Sequence, residues 1–399
     1  MFFRFRIFIS LLIAILLSTG LFARTSTSVS KSVKRDGKVA ESSGTKKRMS
    51  RLRHSRKLRN VRLRRHRYYE HFYTSSYATD ITDGDLAAGE DQIVRQAAID
   101  ALGDMNGTMV AVDPTNGRIL AMVNQKLALS EGAQPCSTIK LSVALAALSE
   151  KIITRETEIT LGKRLEVNLT EALAHSNNAY FEALGRRLGF ERVSYYAHQF
   201  GLGELAGFDI EGEHLGVYPS HVLAADLGGV GKMCSFGESI SMTPLQLGAL
   251  VSAIANGGTL YYLQHPSTAE EAVDFQPRIK RQLDIAPLIP EMTDGMTGAV
   301  EYGTARSLRT NFIEEPILGK TGTCSKDGTR FGWFASYANT QYGRIVAVVF
   351  LRGGRPTYGP KAAEISGRFY RNLYDHNFFV QPATAASHNT EKPAVGTPQ

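Results

Sequence analysis

The chain has 399 residues, 43% of them hydrophobic, enough for one large or two ordinary domains with a sizeable core. Its formal net charge is +8, but residues 46–67 alone carry twelve Lys and Arg and no acid, so the remainder is about −4. Nothing aromatic interleaves that run, which argues against nucleic acid, and the absence of HExxH or CxxC spacing argues against a metal site.

At the N-terminus, Arg4 and Arg6 precede an apolar run from Ile7 to Phe22. As a helix that run rises about 24 Å, short for a membrane span. Leu21 and Ala23 make a mediocre cleavage pattern, so residues 1–23 read as a signal anchor, with a cleaved signal peptide as the alternative. Arg24, Lys31, Lys34 and Arg35 follow, which by charge alone belongs on the cytoplasmic side. Residues 24–80 read as a basic disordered linker, either merely solvated or attracted to an anionic membrane or wall polymer.

From residue 81 the pattern changes. "DQIVRQAAIDAL" has helical apolar spacing, and "GTMVAVDPTNGRILAMVN" reads as a hairpin turning at Asp113 to Gly117. "PCSTIK" opens a helix, with Pro135 suited to a first turn. Residues 151–245 read as mostly helical with Gly-rich connections, and "MTPLQLGALVSAIANGG" as a buried helix closed by Gly257 and Gly258. "ILGKTGTC", "RFGWFASYA" and "RIVAVVFLRGG" are three successive strand candidates, followed by an amphipathic helix and a low-complexity tail at 381–399. The fold class predicted is α+β: an antiparallel sheet flanked by helices, with a mostly helical subdomain inserted, in one domain over 81–380.

Three stretches carry chemistry. In "PCSTIK", Ser137 and Lys140 lie three apart, on one helical face. A serine hydroxyl needs a base, and lysine is one only when neutral. Half-neutralising it at pH 7 from an ordinary pKa of about 10.4 takes roughly 4.6 kcal/mol, which burial and a second cation can supply. Cys136 competes, since it is four from Lys140 and a thiol at a helix start can be reactive. Serine is preferred: cysteine acyl transfer recruits a histidine, only His175 adjoins any motif, and an activated thiolate would oxidise in an export compartment. Cys136 is then a bystander, and three cysteines leave at least one free thiol or an intermolecular bridge.

In "AHSNNAYF", Ser176 and Asn178 offer a hydroxyl to relay a proton and a carboxamide to hold a substrate amide, against the plainer reading of a helix-capping turn. In "LGKTGTC", Lys320, Thr321, Gly322 and Thr323 sit on a predicted strand. Ser-x-x-Lys arises by chance about once in such a chain, but that tetrapeptide in only about 1% of them. A phosphate loop would need glycine where Glu314 stands.

Ser-x-x-Lys, Ser-x-Asn and Lys-Thr-Gly, in that order, are the motif set of penicillin-binding proteins and serine β-lactamases. The chain resembles a penicillin-binding protein transpeptidase domain across residues 85–375. "VAVDPTNGRILAMVN" is similar to the family's opening hairpin, "SFGESISMTPLQLGALVSAIANGGTL" to its Gly-rich segment and following helix, and "GAVEYGTA" and "GKTGTCSKDGTRFGWFASYA" to later blocks. The resemblance implies that Ser137 is the acylated nucleophile, Lys140 its base and Ser176 a proton relay. Asn178, Lys320, Thr321, Gly322 and Thr323 would bind substrate, with Lys320 facing a carboxylate. The oxyanion would sit between the backbone amides of Ser137 and Thr323.

The implied substrate is a peptidoglycan stem peptide ending in D-Ala-D-Ala, with β-lactams as acylating mimics, no cofactor and no metal. The implied enzyme is a membrane-tethered D,D-transpeptidase acting outside the cytoplasmic membrane, with a separate glycan polymerase as a partner and no nucleic acid. A D,D-carboxypeptidase or serine β-lactamase would share the acyl-enzyme but discharge it to water, and an idle penicillin sensor or scaffold would leave the site unused. Two features depart from the family: Cys136 replaces a residue that is usually small, often glycine, and the segment between Ser137 and Ser176 is short.

Overall fold

The computed structural model describes residues 70–162, 164–340 and 343–379. The segment read as an anchor, the basic run and the terminal tail lie outside the described residues. Among the described residues no helix is long and apolar enough to cross a membrane.

The chain begins with α1 (Gln92–Leu102), β1 (Gly107–Val112), β2 (Ile119–Val123) and the short α2 (Gln125–Ala128). A 3-10 turn at Cys136–Ile139 runs directly into α3 (Lys140–Ser149). Next come a small hairpin, β3 (Ile159–Leu161) and β4 (Leu165–Val167), then α4 (Leu169–Ala174), α5 (Asn178–Gln199) and α6 (Gly229–Phe236). After α7 (Pro244–Asn256), β5 (Thr259–Tyr261) and β6 (Ile279–Gln282) pair around α8 (Ala269–Val273). The chain closes with α9 (Ile289–Glu301), β7 (Ile317–Lys326), β8 (Thr329–Thr340), β9 (Gly343–Gly353) and α10 (Gly359–Asp375).

The main sheet runs β2-β1-β9-β8-β7, antiparallel throughout. Side chains alternate between its faces with period two. Val346, Val348 and Phe350 enter a core with α3, α5 and α7, whereas Ile345, Ala347, Val349 and Leu351 enter a second core with α1 and α10. Both faces of β9 are covered, which explains its unbroken apolar run. The predicted α+β class and the helical insertion are what the structure contains: residues 124–316 separate the opening hairpin from the last three strands.

Local chemistry sets the boundaries. Asp91 caps α1 by accepting from the Ile93 and Val94 amides. A reciprocal box of Thr243 and Gln246 starts α7, with Pro244 in its first turn, and Gly257 at φ +94° stops it. The stretch from 200 to 228 is less helical than its sequence suggests, with one 3-10 turn at Ala225–Leu227, because closely spaced glycines there hold left-handed backbone.

Residues 70–80, read from sequence as linker, lie against this domain. The Tyr73 amide donates to Gly328 O at 2.9 Å, Tyr77 bridges Met105, and Ser76 is buried beside Gly354 and Thr357. Beside the end of β2, buried charges tie the chain entry to the sheet. Arg95 pairs with Glu90 at 2.8 Å and Asp85 at 3.0 Å, while Glu90 also meets His265 at 2.7 Å and accepts from the Met122 amide. Removing one partner of a buried pair strands the other charge. Glu90→Ala is expected to cost about 3–5 kcal/mol in urea denaturation; a loss under about 1 kcal/mol would mean that Asp85 alone satisfies Arg95.

Candidate active site

Cys136 adopts φ +52°, a left-handed conformation that costs a non-glycine residue about 1–2 kcal/mol. That reversal puts Ser137 at the head of the 3-10 turn and Lys140 at the start of α3. Ser137 is half-buried and Lys140 fully buried. Lys140 Nζ reaches Ser137 Oγ at 2.7 Å, Asn178 Oδ1 at 2.6 Å, and both the carbonyl and the Oγ of Ser176 at 3.0 Å.

This cage serves both protonation states. A neutral amine has two N–H donors and one lone pair, and two of the four oxygens, Asn178 Oδ1 and the Ser176 carbonyl, can only accept. They take the two N–H groups, leaving the lone pair for a hydroxyl proton. An ammonium has three donors, met by the same two acceptors and one hydroxyl oxygen. A proton can therefore move between Ser137, Lys140 and Ser176 without stranding a polar group.

Ser176 lies in the connection between α4 and α5, also with left-handed backbone at φ +55°. Asn177 caps α5 by accepting from the Tyr180 amide, so "AHSNNAYF" is both a capping turn and part of the site. The flip at Ser176 lets one short connection present a hydroxyl, a carbonyl and the Asn178 carboxamide to one amine.

Strand β7 supplies the third part. Lys320 is fully buried, its Nζ donating to the Thr321 carbonyl at 3.1 Å, where the sequence reading had it facing a substrate carboxylate. Thr321 and Thr304 share a hydrogen bond between hydroxyls at 2.6 Å, and Thr323 Oγ1 accepts from the Gly359 amide at 2.8 Å. Gly322 marks a close approach to the nucleophile turn: a Cβ there would stand 2.9 Å from Pro135 O and 3.2 Å from Thr138 Cγ2. Its glycine has a packing reason that the substrate-binding expectation missed.

Sequence reading also missed three other residues. Thr304 lies within the quoted "GAVEYGTA", and its amide donates to Ala174 O, beside the Ser176 turn. Trp333, the single tryptophan, is buried and donates its indole N–H to Gln134 O at 3.0 Å, fixing the backbone ahead of Cys136. Cys324 forms a disulfide with Cys136 across 188 residues. Closing so long a loop restricts the unfolded chain by up to about 5 kcal/mol on chain-entropy grounds. Cys136 therefore carries no thiol, which removes it as a competing nucleophile. The free cysteine is Cys234, whose thiol burial pushes up to about 12.

The electrostatics follow from burial. Desolvation first, and the nearby Lys320 ammonium second, push the Lys140 amine down to about 6, with Glu182 opposing weakly. Desolvation alone pushes Lys320 down to about 7. Glu171, the acid nearest Ser176 in sequence, accepts from the Tyr302 hydroxyl at 3.2 Å and pairs with His175 at 3.3 Å.

The chain is similar to known proteins in sequence and in fold. Residues 107–375 match the penicillin binding protein transpeptidase domain. The chain is 31% identical to stage V sporulation protein D of Bacillus subtilis, over 54% of this chain and 39% of that protein. It is 24% identical to the peptidoglycan D,D-transpeptidase MrdA of Acinetobacter baumannii, over 71% of this chain and 52% of that one. The chain thus spans between two-fifths and about half of these relatives' length. Among solved structures, Pseudomonas aeruginosa PBP2 in complex with WCK 5153 superposes with a TM-score of 0.60 at 23% identity, covering 72% of this chain and 74% of that one. At that identity the likeness is one of fold.

Buried Lys320 has a measurable signature. The unfolded chain keeps its proton up to 10.5, whereas the folded amine releases it at about 7. Between those values the unfolded state binds more protons at this group, so the destabilisation caused by the buried amine fades as pH rises across that window. Lys320→Met removes the buried amine and is expected to gain about 1–3 kcal/mol at pH 7, an advantage that shrinks toward pH 10. Urea midpoints across that range test this, and a variant less stable at every pH would refute it.

Proposed function

The chain belongs to the penicillin-binding protein transpeptidase family, and on that footing we propose that it is a serine D,D-transpeptidase cross-linking peptidoglycan stem peptides. The observation that carries the proposal is the 2.7 Å contact of Lys140 Nζ with Ser137 Oγ, made by an amine that burial holds neutral at pH 7. Ser137 Oγ attacks the carbonyl carbon of the penultimate D-Ala while its proton passes to Lys140. The negative oxygen forms between the amides of Ser137 and Thr323. Collapse breaks the peptide C–N bond, and a proton delivered through Ser176 lets the terminal D-Ala leave as a neutral amine. An acceptor amine then attacks the ester, returning Ser137. Asn178 accepts from Lys140 through Oδ1, which frees its amide nitrogen to donate to a substrate carbonyl.

Lys320 acts twice in this scheme. Its cation lowers the Lys140 amine, and it lies one residue from Thr321 on the strand that would meet the terminal carboxylate. The Cys136–Cys324 disulfide supports an oxidising location outside the cytoplasmic membrane, where the substrate is assembled. Membrane tethering through residues 1–23 and attraction of residues 46–67 to anionic lipid belong to the same proposal.

A fluorescent penicillin separates the readings. Wild-type protein is expected to form a covalent adduct stable for hours, located on Ser137 by peptide mapping, and Ser137→Ala none. Rapid loss of the adduct would favour a β-lactamase, and no adduct a scaffold. Acylation is expected to fall on the acid side as Lys140 gains its proton near pH 6, and Lys320→Met to move that limb to higher pH by removing the neighbouring cation. A limb that stays put in Lys320→Met would sink the electrostatic role of Lys320.

A further inference from the structure

We propose that the Cys136–Cys324 disulfide, besides restricting the unfolded chain, is a positioning clamp on the two oxyanion donors and sets the rate of acylation. The inference rests on the assignment of Ser137 and Thr323 above. Each cysteine is a chain neighbour of one donor: Cys136 precedes Ser137, and Cys324 follows Thr323. Their Cα atoms are 5.5 Å apart, so a single covalent link fixes the separation of the two backbone segments that bear the N–H groups.

Two features show why a link is useful at this point. Among the described residues, strand β7 is the last in its sheet and pairs with β8, and its burial gives way at Thr323 and Cys324 before Ser325 and Lys326 become exposed. The second donor therefore sits where the strand is losing its packing. Cys136, for its part, holds left-handed backbone that glycine would adopt without cost. A cysteine there is explained by its bond and not by the turn.

The fold has other ties. The ten-residue ladder between β7 and β8, the Trp333 bond to Gln134 and the close contact at Gly322 all remain when the disulfide is opened. Donors aimed at a developing charge act on the transition state, so loosening them lowers the chemical step and spares ground-state binding.

The test measures the acylation rate constant k2 and the dissociation constant Kd separately, by stopped-flow with a fluorescent penicillin. It compares oxidised protein, protein reduced with a phosphine, and the double variant Cys136→Gly, Cys324→Ala. Thiol titration after denaturation reports the state: one thiol per chain oxidised, three reduced. Opening the bond is expected to lower k2 about tenfold with Kd within about twofold, and reoxidation to restore the wild-type rate. An unchanged k2 in folded reduced protein, or a lowered melting temperature as the sole effect, would overturn the clamp. Unfolding on reduction would assign the bond to the fold and overturn it too. If oxidised wild type gives no Ser137 adduct, the underlying assignment has failed instead, and the two failures are told apart by that control.

Discussion

Everything at this site depends on keeping one lysine amine dry. Lys140 is buried with no carboxylate bonded to it among the described residues, and it meets four oxygens of which none carries a full charge. An ion pair would have held the proton on the amine; neutral oxygens leave the choice to the local field. Burial and Lys320 push the same way, so the nitrogen spends neutral pH as a base. That arrangement is unfavourable to folding, and it survives because the surrounding core is large and covers both faces of the sheet.

The same site collects backbone conformations that a stability-optimised chain would avoid. Cys136 and Ser176 are both left-handed without being glycine, and both adjoin the groups that contact Lys140. The flip at Ser176, just past α4, lets its hydroxyl and its carbonyl both meet the amine. Neighbouring contacts hold these turns in place. Trp333 grips the carbonyl of Gln134, Thr304 links β7 to the end of α4, and Gly322 lets β7 come close enough to touch Pro135.

Much of this was legible locally. The helix starts at Asp91 and Thr243, the stop at Gly257, the Asp113 hairpin and the three final strands are encoded within a few residues each, by caps, turn residues and period. The resemblance across 85–375 brought the three motifs into one site before any distance was known. Other parts were not legible. Residues 70–80 look like linker because their polar composition hides the few contacts, at Tyr73, Ser76 and Tyr77, that lay them on the domain. The glycines between 200 and 228 show that helix stops there, but not where the chain goes.

By itself, then, the sequence determined the α+β class, the order of elements and the candidate residues for acyl transfer, because each of those is a property of neighbours along the chain. Tertiary structure alone decided that Cys136 bonds Cys324, that Lys320 is wholly buried and that Thr304 meets Thr321. Those pairings join residues from different elements, the two cysteines being 188 positions apart in sequence, and no spacing rule reaches that far. They exist because the long helical insertion returns the chain to the far edge of the sheet, where β7 meets the turn that leads into α3. Only that closure sets a strand end against a helix start, and only there does a lysine lose the water that would keep it charged.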